Sequence, residues 1–183
     1  MLKLTGGTLK GHLIKTISGN NTRPSSAKVR ESIFNILGDK ITDKSWLDLF
    51  GGSGAVGMEA LSRGAAKSVF VEKDYGAFNC LKKNIDLLKL QTKSILIKRD
   101  SISYLRDCDE TFDFIFLDPP YISDYYNKTF SSLQDKPKLL NTNGYLIVEH
   151  SSKIFLPDIY LSKLKSYKYG DTTLTIFKND GKE

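Results

Sequence analysis

The chain has 183 residues, of which 40% are hydrophobic and 26% charged, so it is long enough to bury a core of its own as one domain. No apolar run approaches the roughly 18 residues of a membrane span. The first residues lack the apolar stretch of a secretory signal, which favours a cytoplasmic protein. Two cysteines and two histidines exclude a disulfide framework and a histidine-rich metal site, so no metal is expected.

The net charge of +6 is concentrated at the N-terminus. Residues 1–30 contain six basic residues and no acid, whereas basic and acidic residues balance in the rest of the chain. An excess at one end is typical of a surface that binds a polyanion, nucleic acid above all. From charge alone, a lysine-bearing hairpin that merely faces solvent is an equal alternative.

The first predicted elements are a small hairpin and a helix. Residues 2–17 carry short apolar and basic runs around a Gly-Gly pair, which predicts a β-hairpin with its lysines pointing outward. Pro24 and the serines after it predict a helix start. Apolar residues then recur at helical spacing as far as Gly38, a candidate C-cap, so the helix has about three turns.

From residue 46 onward, short apolar runs alternate with amphipathic segments. The runs are almost continuously apolar, as strands of a parallel sheet are when crossover helices cover both faces. The predicted fold is therefore a doubly wound α/β core. The predicted strands comprise residues 45–50, 68–72, 94–98, 112–118 and 144–150, and the predicted helices comprise residues 55–63, 75–89 and 101–107.

The C-terminal residues break this alternation. After a short segment over residues 154–159, residues 161–178 predict two strands joined at Gly170-Asp171. An antiparallel pair that closes an otherwise parallel sheet resembles the end of class I methyltransferases. The resemblance implies a Rossmann-like, mostly parallel seven-stranded sheet in a single domain over residues 1–183.

Residues 52–57, Gly-Ser-Gly-Ala-Val-Gly, match the G-x-G-x-x-G fingerprint of a dinucleotide-binding turn. Such a turn brings backbone amides close to a ligand at a helix N-terminus, but it does not select the ligand. Glu72, 20 residues after Gly52, could bind the ribose of either NAD or S-adenosylmethionine. Asp48 favours S-adenosylmethionine, because a carboxylate there would repel the pyrophosphate of NAD and attract the protonated amino group of S-adenosylmethionine.

The order Asp48-Leu49-Phe50-Gly51-Gly52-Ser53-Gly54 resembles the methyltransferase motif Asp-x-Phe-x-Gly-x-Gly, whose acid supports the methionine end of the cofactor. In that resemblance Glu72, with Lys73 beside it, binds the ribose. Asp100, followed by Ser101, takes the adenine edge. Asp100 can also be the N-cap of the helix that follows it, and the two roles are compatible.

Residues 112–121 form an apolar run that ends in Asp118-Pro119-Pro120-Tyr121, which resembles the motif of methyltransferases that act on exocyclic amino groups of bases. The Asp118 carboxylate and the Pro119 carbonyl can accept both hydrogens of an amino group, while neither proline has an N–H that could compete as a donor. Pro120 restricts Pro119 to extended geometry, and Tyr121 can stack on the base. A rigid turn with a surface tyrosine is the structural alternative.

Taken with "TRPSSAKVRESIFNIL" at residues 22–37 and "GGTLKG" near the N-terminus, these motifs closely resemble the RsmD-like family over nearly the whole chain. That family comprises S-adenosylmethionine-dependent methyltransferases of guanine N2 in small-subunit (16S) rRNA. The resemblance implies that residues 1–22 form an extension that contacts rRNA or an assembling small subunit. The residues implied to contact RNA are Lys10, Lys15 and Arg30, and Arg23 and Pro24 are implied to close over the cofactor.

Pro24 could instead only mark the start of the helix, and Arg30 could be a surface cation. Three alternative functions also remain open. A DNA adenine-N6 or cytosine-N4 methyltransferase would share the catalytic motif, but this chain has no insertion large enough for target recognition. An NAD-dependent oxidoreductase would use the literal fingerprint, and a non-catalytic RNA-binding protein would use the basic N-terminus. We expect no membrane partner, and nothing in the sequence demands more than a monomer.

Overall fold

The computed structural model describes residues 1–16, 27–120 and 124–181, which form two sheets and five α-helices. The strands are β1 (Leu2–Lys3), β2 (Leu13–Ile14), β3 (Ser45–Asp48), β4 (Lys67–Val71), β5 (Ser94–Ile97), β6 (Phe112–Leu117), β7 (Leu140–Ser151), β8 (Ser162–Tyr169) and β9 (Thr172–Lys178). The helices are α1 (Ala27–Leu37), α2 (Ala55–Ser62), α3 (Tyr75–Leu87), α4 (Ser101–Asp107) and α5 (Asp124–Asp135). None of these described helices has the length and apolar character of a membrane span.

The main sheet has seven strands in the order β5-β4-β3-β6-β7-β9-β8. The first five are parallel, whereas β9 is antiparallel to both β7 and β8. The strand order reverses between β3 and β6, and open α/β sheets bind ligands at the carboxyl ends of the strands beside such a reversal. The predicted doubly wound sheet with an antiparallel C-terminal hairpin is confirmed.

Two apolar layers cover the faces of this sheet. One contains residues of α1, α2 and α3, and the other contains residues of α4 and α5. In the first layer Trp46 is fully buried, with ring centroids 5.7 Å from Phe34 of α1 and 5.6 Å from Phe114 of β6. Aromatic contacts at these distances join helix and sheet at the centre of the core.

The N-terminal hairpin consists of β1, β2 and the loop between them. Its strands pair antiparallel over two residues each, and Leu4 and Ile14 are fully buried in the same layer as α1. Lys3, Lys10 and Lys15 are exposed, as expected for a hairpin that presents its lysines outward. The hairpin is therefore packed onto the domain and does not stand free of it.

The main differences from the predicted elements concern α5 and β7. The helix α5 was not expected, although Tyr126, Thr129, Phe130 and Leu133 follow helical spacing and are all buried. The strand β7 begins at Leu140, four residues earlier than expected, because residues before Gly144 continue its pairing with β6. The helix α4 and the turn at Gly170-Asp171 agree with the prediction.

Candidate active site

Four strand ends meet at one edge of the sheet. β3 pairs in parallel with both β4 and β6, with Asp48 opposite Phe70 and Phe116, so these strands end at the same level. β4 pairs in the same way with β5. The acidic residues at or just beyond these ends are Asp48, Glu72, Asp100 and Asp118.

The glycine turn between β3 and α2 is held by backbone hydrogen bonds. Gly51 N–H donates to the Val71 carbonyl at 2.9 Å, and Gly54 N–H donates to the Gly51 carbonyl at 2.6 Å. Gly52 and Gly54 have φ angles of 53° and 83°, which side chains other than glycine rarely adopt. The turn therefore needs glycine at both positions for its backbone conformation.

The third glycine of the fingerprint has a different role. A Cβ on Gly57 would lie 2.3 Å from Cε1 of Phe70, so Gly57 allows α2 to pack closely on β4. A Cβ on Gly51 would meet its nearest neighbour at 3.5 Å, an ordinary contact, so packing does not require glycine at this position. Close helix–strand packing alone thus accounts for the last glycine of a literal dinucleotide fingerprint.

Asp48, the last residue of β3, carries a buried carboxyl group. Its Oδ2 accepts a hydrogen bond from Gly57 N–H at 3.2 Å, and its Oδ1 has no hydrogen-bond partner among the described residues. Burial raises the pKa of Asp48 to about 7, and the nearby backbone N–H groups of Gly57 and Phe50 oppose that shift. Because burial disfavours the charged form, a cation beside Oδ1 would stabilise the ionised carboxylate.

Glu72 is fixed at the end of β4 by two backbone donors. Gly52 N–H donates to Oε2 and Asp74 N–H donates to Oε1, both at 2.8 Å. Each carboxylate oxygen keeps a second acceptor position, so the group can also accept hydroxyl donors. The glycine turn and the acid at the next strand end are therefore one hydrogen-bonded unit.

Asp100 caps helix α4. Its Oδ1 accepts hydrogen bonds from the N–H groups of Ile102 and Ser103, which confirms the predicted N-cap role. Its Oδ2 lies 3.8 Å from Nζ of Lys73 and 3.5 Å from the hydroxyl of Tyr125. Ser101 is buried and its hydroxyl donates to the Leu49 carbonyl, so it joins α4 to the residue that follows β3.

Tyr125, in the first turn of α5, is a site residue that the sequence analysis missed. Lys73 donates to its hydroxyl and lies 5.0 Å from its ring centroid, and Phe50 meets the ring edge-on at 5.4 Å. The hydrogen bond to Tyr125 is the main reason that the pKa of Lys73 is raised. The helical spacing of buried residues in α5 was the signal that could have located Tyr125.

The Asp-Pro-Pro segment follows β6 directly. Asp118 is partly exposed, Pro119 is buried and Pro120 is exposed, so the carboxylate can be reached from solvent at this edge. Tyr121, like Arg23 and Pro24, lies outside the described residues. Within the described ranges, residues 1–16, 27–120 and 124–181, no group of three potential metal ligands is found.

The expectation that Arg30 faces cofactor or RNA is wrong. Its side chain is 0% exposed, its Nη2 donates to the Lys3 carbonyl at 2.8 Å, and its Nε lies 3.7 Å from Oε2 of Glu59. Burial lowers the pKa of Arg30, and the Glu59 carboxylate opposes that shift. Arg30 therefore anchors the N-terminal hairpin from beneath and offers no surface to RNA.

Lys10 and Lys15 both remain exposed, but they lie at opposite ends of the hairpin's path. Next to Lys10, Leu9 N–H donates to the hydroxyl of Ser62, the last residue of α2. At the other end, both backbone groups of Lys15 bond to the carboxamide of Asn84 at 2.8 and 2.9 Å.

Asn84 itself is fully buried in α3 and connects two parts of the molecule. Its Nδ2 also donates to the Ser53 carbonyl of the glycine turn at 2.9 Å. The N-terminal hairpin and the glycine turn therefore share one side chain. A polar residue among the apolar positions of an amphipathic helix was the signal for this role.

The fold, together with the glycine turn and the acidic residues at the carboxyl ends of the parallel strands, defines a class I methyltransferase. A solved Escherichia coli structure, provisionally described as methyltransferase yhhF, has a TM-score of 0.87 and 28% identity to this chain. The match covers 98% of this chain and 98% of that chain. The antiparallel end of the sheet is thus a shared feature of a whole fold and not a local likeness.

The family model described as conserved hypothetical protein 95 matches residues 2–178, so the chain belongs to that family. A Bacillus subtilis (strain 168) protein provisionally named rRNA methyltransferase YlbH is 35% identical, covering 98% of this chain and 100% of that protein. The Haemophilus influenzae protein named ribosomal RNA small subunit methyltransferase D is 30% identical, covering 97% of this chain and 94% of its own. The RsmD-like resemblance is therefore confirmed.

Proposed function

We propose that this protein transfers a methyl group from S-adenosylmethionine to the exocyclic N2 of a guanine in 16S rRNA, in the cytoplasm. One observation carries the proposal most directly: a buried carboxyl oxygen of Asp48 without a partner among the described residues lies at the same sheet edge as Asp118. The Asp48 carboxylate fits a cationic cofactor, and the Asp118 carboxylate fits the amino group of a substrate base. The names of the relatives supply the expected RNA.

The residues at the edge fit the cofactor chemically. Asp48 offers an acceptor for an ammonium group, Glu72 offers acceptors for ribose hydroxyls, and Asp100, with Lys73 and Tyr125 near its Oδ2, offers an acceptor for the adenine amino edge. A Cβ on Gly52 would meet nothing nearer than the Phe50 carbonyl oxygen at 3.8 Å, so the backbone there is open to a close approach. When bound, S-adenosylmethionine supplies an electrophilic methyl group on its sulfonium.

The chain's own contribution to the reaction is to prepare the amino group. The lone pair of a purine amino nitrogen is delocalised into the ring, so the nitrogen is a poor nucleophile. Asp118 and the Pro119 carbonyl accept hydrogen bonds from its two N–H groups, which favours a tetrahedral nitrogen with a localised lone pair. One proton must leave the nitrogen when it is methylated, and the Asp118 carboxylate is the group that can take it. Tyr121 stacks on the base, and the remaining requirement is alignment of nitrogen and methyl.

The first test is transfer of a labelled methyl group to small ribosomal subunits from cells that lack the enzyme, followed by nucleoside analysis. We expect N2-methylguanosine as the labelled nucleoside. Label in N6-methyladenine of duplex DNA, with none in subunits or free rRNA, would instead establish the DNA methyltransferase alternative. Binding of RNA without any transfer would favour the non-catalytic alternative.

The motif is tested by substitutions that separate binding from chemistry. Asp118→Ala should bind the cofactor as the unaltered protein does while transfer collapses, and full activity in this variant would remove the proposed mechanism. Tyr121→Ala should lose more activity than Tyr121→Phe, because stacking needs the ring and not the hydroxyl. Equal losses in both tyrosine variants would assign the role to the hydroxyl.

The charge of the cofactor is tested through Asp48. With a pKa of about 7, Asp48 is mostly protonated at pH 6.5 and should release its proton when an ammonium group binds beside it. Titration calorimetry in buffers of different ionisation enthalpy measures that proton. We expect release of a large fraction of a proton by the unaltered protein and none by Asp48→Asn; equal release by both would exclude Asp48 as the partner of the cation.

A further inference from the structure

The strand β8 forms one edge of the main sheet and carries an unusual set of side chains. It pairs only with β9 in the described sheet, so its outer edge is free of other strands. Its sequence, Ser-Lys-Leu-Lys-Ser-Tyr-Lys-Tyr, contains three lysines and two tyrosines and no acidic residue. The lysines are all exposed and the tyrosines are half-buried.

The register with β9 assigns these side chains to the two faces of the sheet. Lys165, Tyr167 and Tyr169 lie opposite Ile176, Leu174 and Thr172, respectively, and so share one face. On that face Nζ of Lys165 lies 5.0 Å from the ring centroid of Tyr167. Lys163 and Lys168 lie on the other face, so cations flank the strand on both sides.

The C-terminal end of β8 lies on the same side of the sheet as the carboxyl ends of the parallel strands, where the candidate active site is. The turn after β8 is tied to the carboxyl end of β7, because Ser152 N–H donates to the Asp171 carbonyl at 2.8 Å. Three strand spacings separate β8 from β6, or about 14 Å. A nucleic-acid strand with a rise of about 3.4 Å per nucleotide covers that distance in about four nucleotides.

Lysines on an edge strand also have a protective role, since they discourage pairing with another chain. Tyr167 and Tyr169 pack one side against the first apolar layer and leave part of each ring exposed, and Lys165 lies over the ring of Tyr167. Phe155, which is 97% exposed and follows the Ser152 contact with the C-terminal turn, adds a third ring near the same edge. Cations that track phosphates, combined with rings on which bases stack, are typical of single-stranded nucleic-acid binding.

We propose that the β8 surface, formed by Lys163, Lys165, Tyr167, Lys168 and Tyr169, binds the rRNA strand that flanks the methylated guanine. The inference rests on the proposed function. It gives the protein a second RNA-binding surface besides the N-terminal hairpin. The lysines bind phosphates, and Tyr167 and Tyr169 stack on bases or riboses. The target nucleotide then enters the active site from a strand held on both sides of the domain.

The test compares two triple variants on opposite edges of the sheet. One is Lys163→Gln/Lys165→Gln/Lys168→Gln on β8. The control is Lys82→Gln/Lys89→Gln/Lys93→Gln, whose lysines are also exposed and lie in α3 and in the segment between α3 and β5. Binding to transcribed and refolded 16S rRNA is measured over a salt series. We expect the β8 variant to lower the slope of log affinity against log salt by about 2 and to weaken binding about tenfold at low salt, with the control unchanged.

Methyl transfer to small subunits supplies a second measurement. The β8 variant should raise KM while kcat at saturating subunits stays within twofold, because phosphate contacts stabilise substrate and transition state alike. A salt slope equal to that of the control would overturn the inference, most clearly if the β8 variant also aggregates as an unprotected edge would. A wild-type chain that neither binds nor methylates any RNA would overturn the proposed function first, and this inference with it.

Discussion

The two hairpins of this protein are attached to its core in opposite ways. The C-terminal hairpin, β8 and β9, joins the main sheet through a long antiparallel pairing of β9 with β7. The N-terminal hairpin has strands of two residues each and relies on side chains of three helices. Those side chains are Arg30 of α1, Glu59 and Ser62 of α2, and Asn84 of α3.

The difference shows how a short hairpin is stabilised when its own backbone pairing is too small to hold it. Glu59, fully buried, accepts hydrogen bonds from Thr5 N–H at 2.9 and 3.1 Å and from the Thr5 hydroxyl at 2.6 Å. Ser62 donates to the Gly6 carbonyl at 2.6 Å. Single polar side chains therefore attach the N-terminal hairpin to the core, whereas a row of backbone hydrogen bonds attaches the C-terminal hairpin.

The largest effect is expected from Glu59→Ala. Removal of the carboxylate takes the Glu59 charge away from the buried Arg30 and releases Thr5, which should lower the free energy of unfolding by about 3–5 kcal/mol. Urea denaturation measures the change. Glu110→Ala, which removes a half-exposed ion pair with Lys67, should cost less than about 1 kcal/mol, and equal losses in the two variants would contradict the anchoring role of Glu59.

The same glycine substitution should have different effects in the two hairpins. Gly7 and Gly170 have φ angles of 73° and 62°, so alanine strains the backbone at both by about 1–2 kcal/mol. At Gly7 the new Cβ would also lie 1.9 Å from the Ser62 carbonyl oxygen, whereas at Gly170 it meets nothing within 4 Å. Gly7→Ala should therefore cost about 2 kcal/mol more than Gly170→Ala, because hydrogen bonds to Ser62 break as well; similar midpoints in urea would show that the loop moves freely.

Asn84→Ala should combine a moderate loss of stability with a loss of cofactor affinity. It leaves the part-buried Lys15 N–H and Ser53 carbonyl without the Asn84 carboxamide, at a cost of about 1–3 kcal/mol. Calorimetry with S-adenosylhomocysteine should detect weaker binding, since Ser53 belongs to the glycine turn. Asn141→Ala, at the opposite edge of the sheet, is the matched control and should leave cofactor affinity unchanged.

The smallest effects concern the exposed lysines of the N-terminal hairpin. Lys15→Gln should weaken RNA binding and lower its salt slope by about 1, because Lys15 lies beside the glycine turn. Lys10→Gln, at the far end of α2, should change the slope less. An unchanged slope in the double variant would mean that this hairpin is only a solvated surface.

The pH dependence of stability provides a separate comparison. Asp48 has a raised pKa in the folded protein, so between about pH 4 and pH 7 the folded chain binds more protons than the unfolded chain. Stability should therefore fall as the pH rises through that window, and Asp48→Asn should reduce the fall. A pH profile of urea midpoints that is identical in both proteins would contradict the raised pKa.

Much of the fold could be predicted from sequence because apolar runs and turn residues record it locally. The strands of the parallel sheet, helix α4 and the Gly170 turn all follow from such patterns. The acids that follow strand ends could be expected at one edge because parallel strands end together. The helix α5 was missed because its polar composition hides the spacing of its four buried residues.

The error at Arg30 arose because the role of that residue depends on a partner distant in sequence. Arg30 was predicted to face cofactor or RNA, but Glu59, 29 residues later, lies beside it in the core. The role of Gly57, which the fingerprint alone does not give, likewise depends on Phe70, which occupies the space of its side chain. Local patterns predict where a residue lies along the chain, but only the packed structure shows what opposes it.

The buried contact of Trp46 with Phe34 and Phe114 has a practical consequence. Trp46 is the only tryptophan of the chain, so tryptophan fluorescence, excited selectively over tyrosine, reports from one place, where α1 meets the centre of the sheet. Loosening of α1 should change that emission even if the outer strands stay paired, whereas loss of β8 alone should leave it unchanged. Fluorescence and circular dichroism recorded on the same sample can therefore distinguish release of the N-terminal side of the core from fraying at the far edge.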